Sequence, residues 1–87
     1  MNVQDMIKSG ARIIDVRSVD EFRDGAYPGA ENIPVHLIGA RLPDLGPKNQ
    51  PIIVYCASGA RSAMAARLLK EAGYDQVVNA GGLADLP

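Results

Sequence analysis

The sequence predicts an α/β fold in which helices cover both faces of a central, mostly parallel β-sheet. Short runs of β-branched residues alternate along the chain with stretches of helical periodicity. Strands that alternate with helices pair in parallel and are buried on both faces. The 87 residues are 47% hydrophobic and 22% charged, without repeats or a linker. We therefore expect one globular domain over residues 1–87.

The first elements are short and closely spaced. Residues 3–9 have the apolar spacing of a helix, with Asn2 and Gly10 as candidate caps. Residues 11–16 are rich in β-branched side chains and predict a buried strand. A helix of one or two turns is expected over residues 18–25.

The middle of the chain predicts one weak strand and one strong strand. Residues 32–35 resemble a brief strand closed by proline, and residues 37–42 a short helix that ends near Pro43. Residues 52–55 form the most apolar strand segment. We expect this segment to be the central strand, because central parallel strands are buried on both faces.

The strongest helix signal covers residues 62–72, and Gly73 is placed to end this helix. A last short strand is expected over residues 76–79, followed by a double glycine at 81–82. One side of the helix is expected to pack in the core, and that side carries Met64, Ala65, Leu68, Leu69 and Ala72.

Composition excludes several classes of protein. The net charge of −1, without a basic block, predicts no nucleic-acid surface. No apolar stretch approaches the ~20 residues that span a bilayer, so we expect no membrane partner. A single cysteine cannot form an internal disulfide, and the amino terminus lacks the pattern of a signal peptide. We therefore expect a reducing, cytoplasmic setting.

The candidate nucleophile is Cys56, the only cysteine, at the end of the most apolar strand. The carboxyl end of a strand is where open α/β sheets bind ligands. Small residues follow, and Gly59 can adopt a positive φ that turns successive amides inward as an anion-binding nest. Such amides at a helix start stabilise a thiolate, lowering its pKa from about 8.5 to roughly 3.5–7.5. We expect a thiolate open to solvent, which needs no base from His36 and no metal.

Four residues separate Cys56 from Arg61. Cysteine-dependent protein phosphatases have five residues in this loop, which wraps a phosphate. The shorter ring suits an extra sulfur atom on Cys56 better than a tetrahedral phosphate. The guanidinium of Arg61 is expected near the loop mouth, where it can hold an oxyanion by paired hydrogen bonds. The expected binding segment consists of Ala57, Ser58, Gly59, Ala60, Arg61 and Ser62.

Four segments resemble the motifs of one known family. They are IIDVR with EF after it (residues 13–22), GAYPGAENIP (25–34), VYCASGARS (54–62) and AGY through VVNAGG (72–82). In order and spacing they are similar to the single-domain rhodanese (thiosulfate sulfurtransferase-like) family. The chain departs from the family where Gly-Ala-Tyr replaces a frequent Gly-His-Ile, and it ends soon after the double glycine.

The resemblance implies a rhodanese-like three-layer fold and a two-step sulfur transfer. The Cys56 thiolate would take the outer sulfur of a donor such as thiosulfate, carry it as a persulfide and pass it to cyanide or a thiol. A sulfur-relay protein is a further expected partner, and no metal or organic cofactor is implied. We expect Asp15 and Arg17 to support the site structurally, as a partnered charge near a strand end.

Two other functions remain open from the residues. One is a phosphatase or arsenate-reductase-like enzyme on the same fold, against which the loop length argues. The other is a module that binds proteins or delivers sulfur within a complex and has little turnover on its own. The intact cysteine argues against a module without any chemistry.

Overall fold

The computed structural model describes residues 2–87. Its helices and strands are short, and three 3₁₀ turns lie at Val35–Leu37, Leu42–Asp44 and Leu83–Asp85. In chain order the elements are α1 (Val3–Lys8), β1 (Arg12–Asp15), α2 (Val19–Arg23), β2 (Glu31–Asn32), α3 (Ile38–Arg41), β3 (Ile52–Cys56), α4 (Ala60–Glu71) and β4 (Val77–Gly82).

The four strands form one parallel sheet in the order β2-β1-β3-β4, which confirms the predicted α/β class. Strand β3 lies inside the sheet, where Ile52 is in register with Arg12 of β1 and with Val77 of β4. All five residues of β3 are buried. The most apolar segment is therefore an interior strand, as its composition predicts.

Alternating side chains of the strands build one core on each face of the sheet. Ile14 and Val54 belong to the larger core, together with residues of α3 and α4. Ile13, Ile53 and Tyr55 point to the opposite face and pack with residues of α1. The side chain of Cys56 falls on the α4 face, so the sulfur is directed towards the amino terminus of that helix.

Local capping sets where the first helices begin. The side chain of Asn2 accepts a hydrogen bond from the Asp5 amide and caps α1, as predicted. Ser18 and Glu21 form a reciprocal capping box at the start of α2. Both helices are short, so these caps satisfy a large share of their free amide groups.

The predicted buried side of α4 is wrong at Met64, whose exposed fraction is 60%. The side that faces the sheet is made of small residues and one leucine: Ser62, Ala65, Ala66 and Leu69. These small side chains let the helix pack closely on β3 and β4. A pattern based on large apolar residues instead predicts a buried side that includes Met64, because it gives little weight to small residues.

None of the helices in the described part of the chain has the length and apolar character that a membrane crossing requires.

Candidate active site

Cys56 is the last residue of β3, and the chain reaches α4 after only three more residues. Helix α4 begins at Ala60, two residues before the predicted start, with Gly59 as its N-cap. Gly59 has a φ of 103°, the left-handed conformation that glycine adopts without steric cost. This turn brings the free amides of the helix start back over the sulfur.

Backbone amides of the loop point at the sulfur of Cys56. The amide of Gly59 donates a hydrogen bond to Sγ over 3.0 Å. The hydroxyl of Ser62 lies 3.4 Å from the same sulfur. The amides of Ser58 and Ser62 add to this stabilisation of negative charge on Cys56. The structure therefore places inward-facing amides where the sequence predicts an anion-binding loop.

The pKa of Cys56 reflects two opposed effects. Burial is the largest single effect and raises the pKa, because a buried thiolate loses its hydration. Hydrogen bonds from Ser62 and from the amides of Gly59 and Ser58 lower it, and together they prevail. The net result lowers the pKa of the thiol to about 7, below the value of a free cysteine. A substantial thiolate fraction is therefore present at neutral pH.

The expectation that the sulfur is open to solvent is wrong, because Cys56 is only 1% exposed. The side chain lies under the loop on the α4 face of the sheet, while Ala57, Ser58 and Ala60 above it are exposed. Burial of the thiol depends on the packing of α4 and β4, which the local sequence does not encode. Its reactivity therefore rests on the polar groups around it and not on exposure.

The double glycine makes room for this loop. Gly82 is aligned with Cys56 across β3 and β4, and a Cβ on Gly82 would overlap the carbonyl oxygen of Ala57. A Cβ on Gly59 would lie 3.5 Å from the Cα of Gly81. The backbone of the loop thus rests directly on β4, and the close approach leaves no space for a side chain at position 82.

Arg61 binds a carboxylate of its own chain. Its two terminal nitrogens donate to both oxygens of Glu21, over 2.7 and 3.0 Å. This pair lowers the pKa of Glu21 to about 2, with help from the Ser18 amide at the cap. Glu21 therefore stays ionised at neutral pH, and the paired donors of Arg61 that the sequence predicts for an oxyanion are already occupied.

A buried polar network lies beside the loop at the end of β1. The guanidinium of Arg17 donates to the carboxylate of Asp15 over 2.7 Å, and the hydroxyl of Tyr55 donates to the same oxygen over 2.7 Å. Arg17 also donates to the carbonyl of Gly25, and the Tyr27 amide donates to the Tyr55 hydroxyl. Hydrogen bonds to Asp15 raise the pKa of Arg17. The network thus joins β1 to β3, through Tyr55, and to the segment that contains Gly25 and Tyr27.

Sequence reasoning missed three residues that contact these groups: Glu21, Tyr55 and Asn79. The Ser18-x-x-Glu21 spacing signals a capping box, but it does not reveal the Arg61 partner. The apolar pattern places Tyr55 in a strand and predicts no contact for its hydroxyl, although a buried tyrosine hydroxyl needs a hydrogen-bond partner. Nothing in the sequence signals that Asn79 accepts from Ser62 over 2.6 Å.

The described residues hold no group of three or more histidine, cysteine or acidic side chains suited to a metal ion. A cavity of ≈ 300 Å³ lies at the opposite end of β3 and β4, lined by residues that include Pro51, Lys70 and Gln76. Its lining contains no cysteine, and it lies away from the loop that follows β3. The chemistry of the chain therefore points to Cys56.

The lowered pKa predicts a pH titration for the folded protein. We expect thiolate ultraviolet absorbance to rise with a midpoint near pH 7, because the folded pKa of Cys56 is about 7. The protein unfolded in urea serves as control, and its cysteine should titrate at about pH 8.5, the pKa of a free cysteine. Cys56 is the only thiol of the chain, so the thiolate part of the signal belongs to it. Equal midpoints for folded and unfolded protein would refute the stabilisation by the loop.

Comparisons with known proteins agree with this geometry. The sequence model of the family named Rhodanese-like domain matches residues 2–85. A sulfurtransferase of Allochromatium vinosum is 39% identical over 70 residues, which are 80% of this chain and 64% of that protein. Thiosulfate sulfurtransferase PspE of Escherichia coli is 40% identical over 74 residues, which are 84% of this chain and 71% of that protein.

A solved structure described as a rhodanese with anions from E. coli has the same fold. It superposes with a TM-score of 0.82 at 37% identity, over 90% of this chain and 95% of that one. This chain thus spans less than two thirds of the A. vinosum relative and nearly the whole of the E. coli structure.

Proposed function

The chain belongs to the rhodanese-like domain family, and from that premise we propose that it moves sulfane sulfur through a persulfide on Cys56. The donor is thiosulfate or a similar compound, and the acceptor is a thiophile such as cyanide or a thiol. The proposal needs no metal and no organic cofactor. It treats residues 1–87 as one catalytic domain.

One observation carries the proposal: the amide of Gly59 is aimed at the sulfur of Cys56 from 3.0 Å. A structural thiol in a core has apolar neighbours and gains nothing from such a donor. Amide donors stabilise a thiolate, and the thiolate is the form that attacks sulfur. The position also coincides with the carboxyl end of a parallel strand, where this class of fold binds ligands.

In the first step the Cys56 thiolate attacks the outer sulfur of thiosulfate. A bond forms between the two sulfurs, and the sulfur–sulfur bond of the donor breaks. Sulfite leaves with the electron pair of that bond. Cys56 then carries a persulfide whose negative charge lies on the outer sulfur. We assign the stabilisation of this charge to the amides of residues 57–62, which are preorganised and need no reorientation.

In the second step the acceptor attacks the outer sulfur of the persulfide. The bond between the two persulfide sulfurs breaks, and Cys56 leaves as a thiolate with the electron pair. Cyanide becomes thiocyanate, and a thiolate becomes a persulfide. Splitting the transfer in two lets one nucleophile serve both half-reactions. The loop that lowers the pKa of Cys56 to about 7 also makes it a better leaving group.

Asp15 and Arg17 take a positioning role in this scheme. Their ion pair ties β1 to the segment around Gly25 and holds Tyr55 next to Cys56 in β3. We further propose that the protein works in a reducing compartment such as the cytoplasm, where a free thiol persists.

A specific observation favours sulfur delivery to a partner protein as the second candidate function. Glu21 neutralises Arg61, so the loop mouth offers no free cation from that side chain to a small anionic donor. A relay protein that docks over the loop would not depend on that charge. The phosphatase alternative has less support, because the loop is shorter and Arg61 already binds a carboxylate.

An assay with two readouts tests the proposal. The protein is given thiosulfate and cyanide, and thiocyanate is measured; in parallel it is given an aryl phosphate, and hydrolysis is measured. We expect thiocyanate formation with ping-pong kinetics and no hydrolysis above background. Hydrolysis without sulfur transfer would overturn the proposal in favour of the phosphatase. Slow thiocyanate formation together with rapid uptake of sulfur from a protein persulfide would support delivery instead.

The Glu21–Arg61 pair predicts how the protein selects its donor. In Glu21→Gln the guanidinium loses its negative partner, and we expect KM for thiosulfate to fall about twofold to fivefold, as for exposed charge pairs. The gain should shrink in high salt, which screens exposed charges. Asp20→Asn is the matched control, since it makes the same charge change on α2. The native partner of Asp20 is Arg23 and not Arg61. An equal fall of KM in both variants would exclude a specific role of Arg61.

A further inference from the structure

The hydroxyl of Ser62 has more partners than it can serve as a donor. Its oxygen lies 2.6 Å from Oδ1 of Asn79, 3.1 Å from the carbonyl of Gly59 and 3.4 Å from the carbonyl of Gly81. The sulfur of Cys56 is 3.4 Å away. A serine hydroxyl carries a single hydrogen. The four neighbours therefore compete for one proton, and Ser62 itself is fully buried.

Two backbone groups fix which end of the Asn79 amide faces Ser62. The amide of Gly81 donates to Oδ1 of Asn79 over 2.9 Å, and Nδ2 of Asn79 donates to the carbonyl of Gly59 over 3.2 Å. If the side-chain amide were flipped, Nδ2 would face the N–H of Gly81 and Oδ1 would face the carbonyl oxygen of Gly59, and neither pair forms a hydrogen bond. Oδ1 is therefore the acceptor next to Ser62, and it has the shortest of the four distances.

The protonation state of Cys56 decides where the Ser62 proton is needed. When Cys56 is a thiol, its S–H donates to the Ser62 oxygen and Ser62 donates to Asn79, so every group is satisfied. When Cys56 gives up its proton to solvent, the sulfur becomes an acceptor only. Ser62 then stabilises the thiolate only by turning its hydrogen away from Asn79.

We propose that Asn79 is a positioning residue that competes with the sulfur of Cys56 for the hydroxyl proton of Ser62. It does not touch the reacting sulfur and acts through Ser62 alone. Asn79 thereby weakens the stabilisation of charge on the inner sulfur, while the loop amides stay in place. A less stabilised thiolate is a stronger nucleophile, since nucleophilicity rises with pKa.

The proposal rests on the proposed function only where it concerns the catalytic cycle. In the persulfide the charge moves to the outer sulfur, so the inner sulfur no longer needs the Ser62 proton. Ser62 can then donate to Asn79 again. Asn79 thus favours the thiol and the persulfide over the free thiolate. The titration of Cys56 tests the competition itself and requires no sulfur donor, so a failure of sulfur transfer leaves this test intact.

The experiment compares Asn79→Ala in two backgrounds by the thiolate absorbance of Cys56. In the native background we expect the pKa of Cys56 to fall by about half a unit to one unit, the effect of releasing one hydrogen bond. In the Ser62→Ala background Asn79→Ala should leave the pKa unchanged. A higher pKa in the native background, or equal shifts in both, would overturn the proposal, because each indicates that Asn79 only holds the loop in shape.

Asn79→Asp gives a second test with the acceptor oxygen retained. We expect the pKa of Cys56 to rise in the native background and to rise clearly less in the Ser62→Ala background. Equal rises would show a through-space charge effect and contradict the competition. Asn79 is exposed, so both variants are expected to fold. The charged groups that surround the loop are unchanged in every variant: Asp15, Arg17, Glu21, Arg61 and Asp85.

Discussion

Replacing Cys56 with serine is expected to abolish sulfur transfer. The hydroxyl of serine is a far weaker acid than the thiol, so the loop amides cannot hold it as an anion at neutral pH. Serine also cannot form a persulfide. We expect thiocyanate formation from thiosulfate and cyanide to fall by about three orders of magnitude or more, the scale on which loss of a covalent nucleophile acts.

Met64→Ala is the matched control for this change. Met64 lies in the first turns of α4, close to the loop in sequence, but its side chain is 60% exposed and outside the core. We expect this variant to keep its activity within about twofold, as for surface substitutions. Retention of sulfur transfer by Cys56→Ser would remove the cysteine from the mechanism and with it the proposed persulfide.

The second large effect is expected on stability, from Asp15→Ala. Asp15 is fully buried and accepts hydrogen bonds from Arg17 and Tyr55. Its removal leaves Arg17, a residue that is 7% exposed, without its counter-charge and the Tyr55 hydroxyl without its acceptor. Breaking a buried ion pair in this way costs about 3–5 kcal/mol. Small domains have total stabilities of about 5–15 kcal/mol, so the variant should be close to unfolding.

Urea denaturation followed by circular dichroism measures this loss. Asp20→Ala is the control, because it removes a carboxylate whose side chain is 89% exposed and 3.7 Å from Arg23. We expect its free energy of unfolding to change by less than about 1 kcal/mol. Similar losses in the two variants would show that the Asp15 network does not stabilise the fold through its buried charge pair.

Features of the fold that depend on local chemistry were predictable from the sequence. The apolar run of β3, the cap at Asn2 and the positive φ of Gly59 follow from residue types and near neighbours. The hydrophobic pattern places Met64 on the buried side of α4, whereas the residues that face the sheet are mostly small. Close packing against β3 and β4 requires small side chains on α4. A pattern based on hydrophobicity alone does not predict this requirement.

For the candidate site, the loop was predictable and its partners were not. Cys56 and the inward amides come from one continuous segment, so their arrangement follows from the strand, the glycine and the helix start. Glu21 and Arg61 are 40 residues apart, and Ser62 and Asn79 are 17 apart. Such contacts arise only when the sheet brings β1, β3 and β4 together. The burial of Cys56 has the same origin.

The intact mass of the protein after treatment with thiosulfate is the decisive test of a persulfide on Cys56. We expect a gain of one sulfur atom on the folded native protein, located on Cys56, and its complete loss when cyanide is added. The only thiol in the chain is Cys56, so the added atom can be assigned without ambiguity. A folded protein that gains no sulfur from thiosulfate or from other sulfane donors would rule out a persulfide on Cys56.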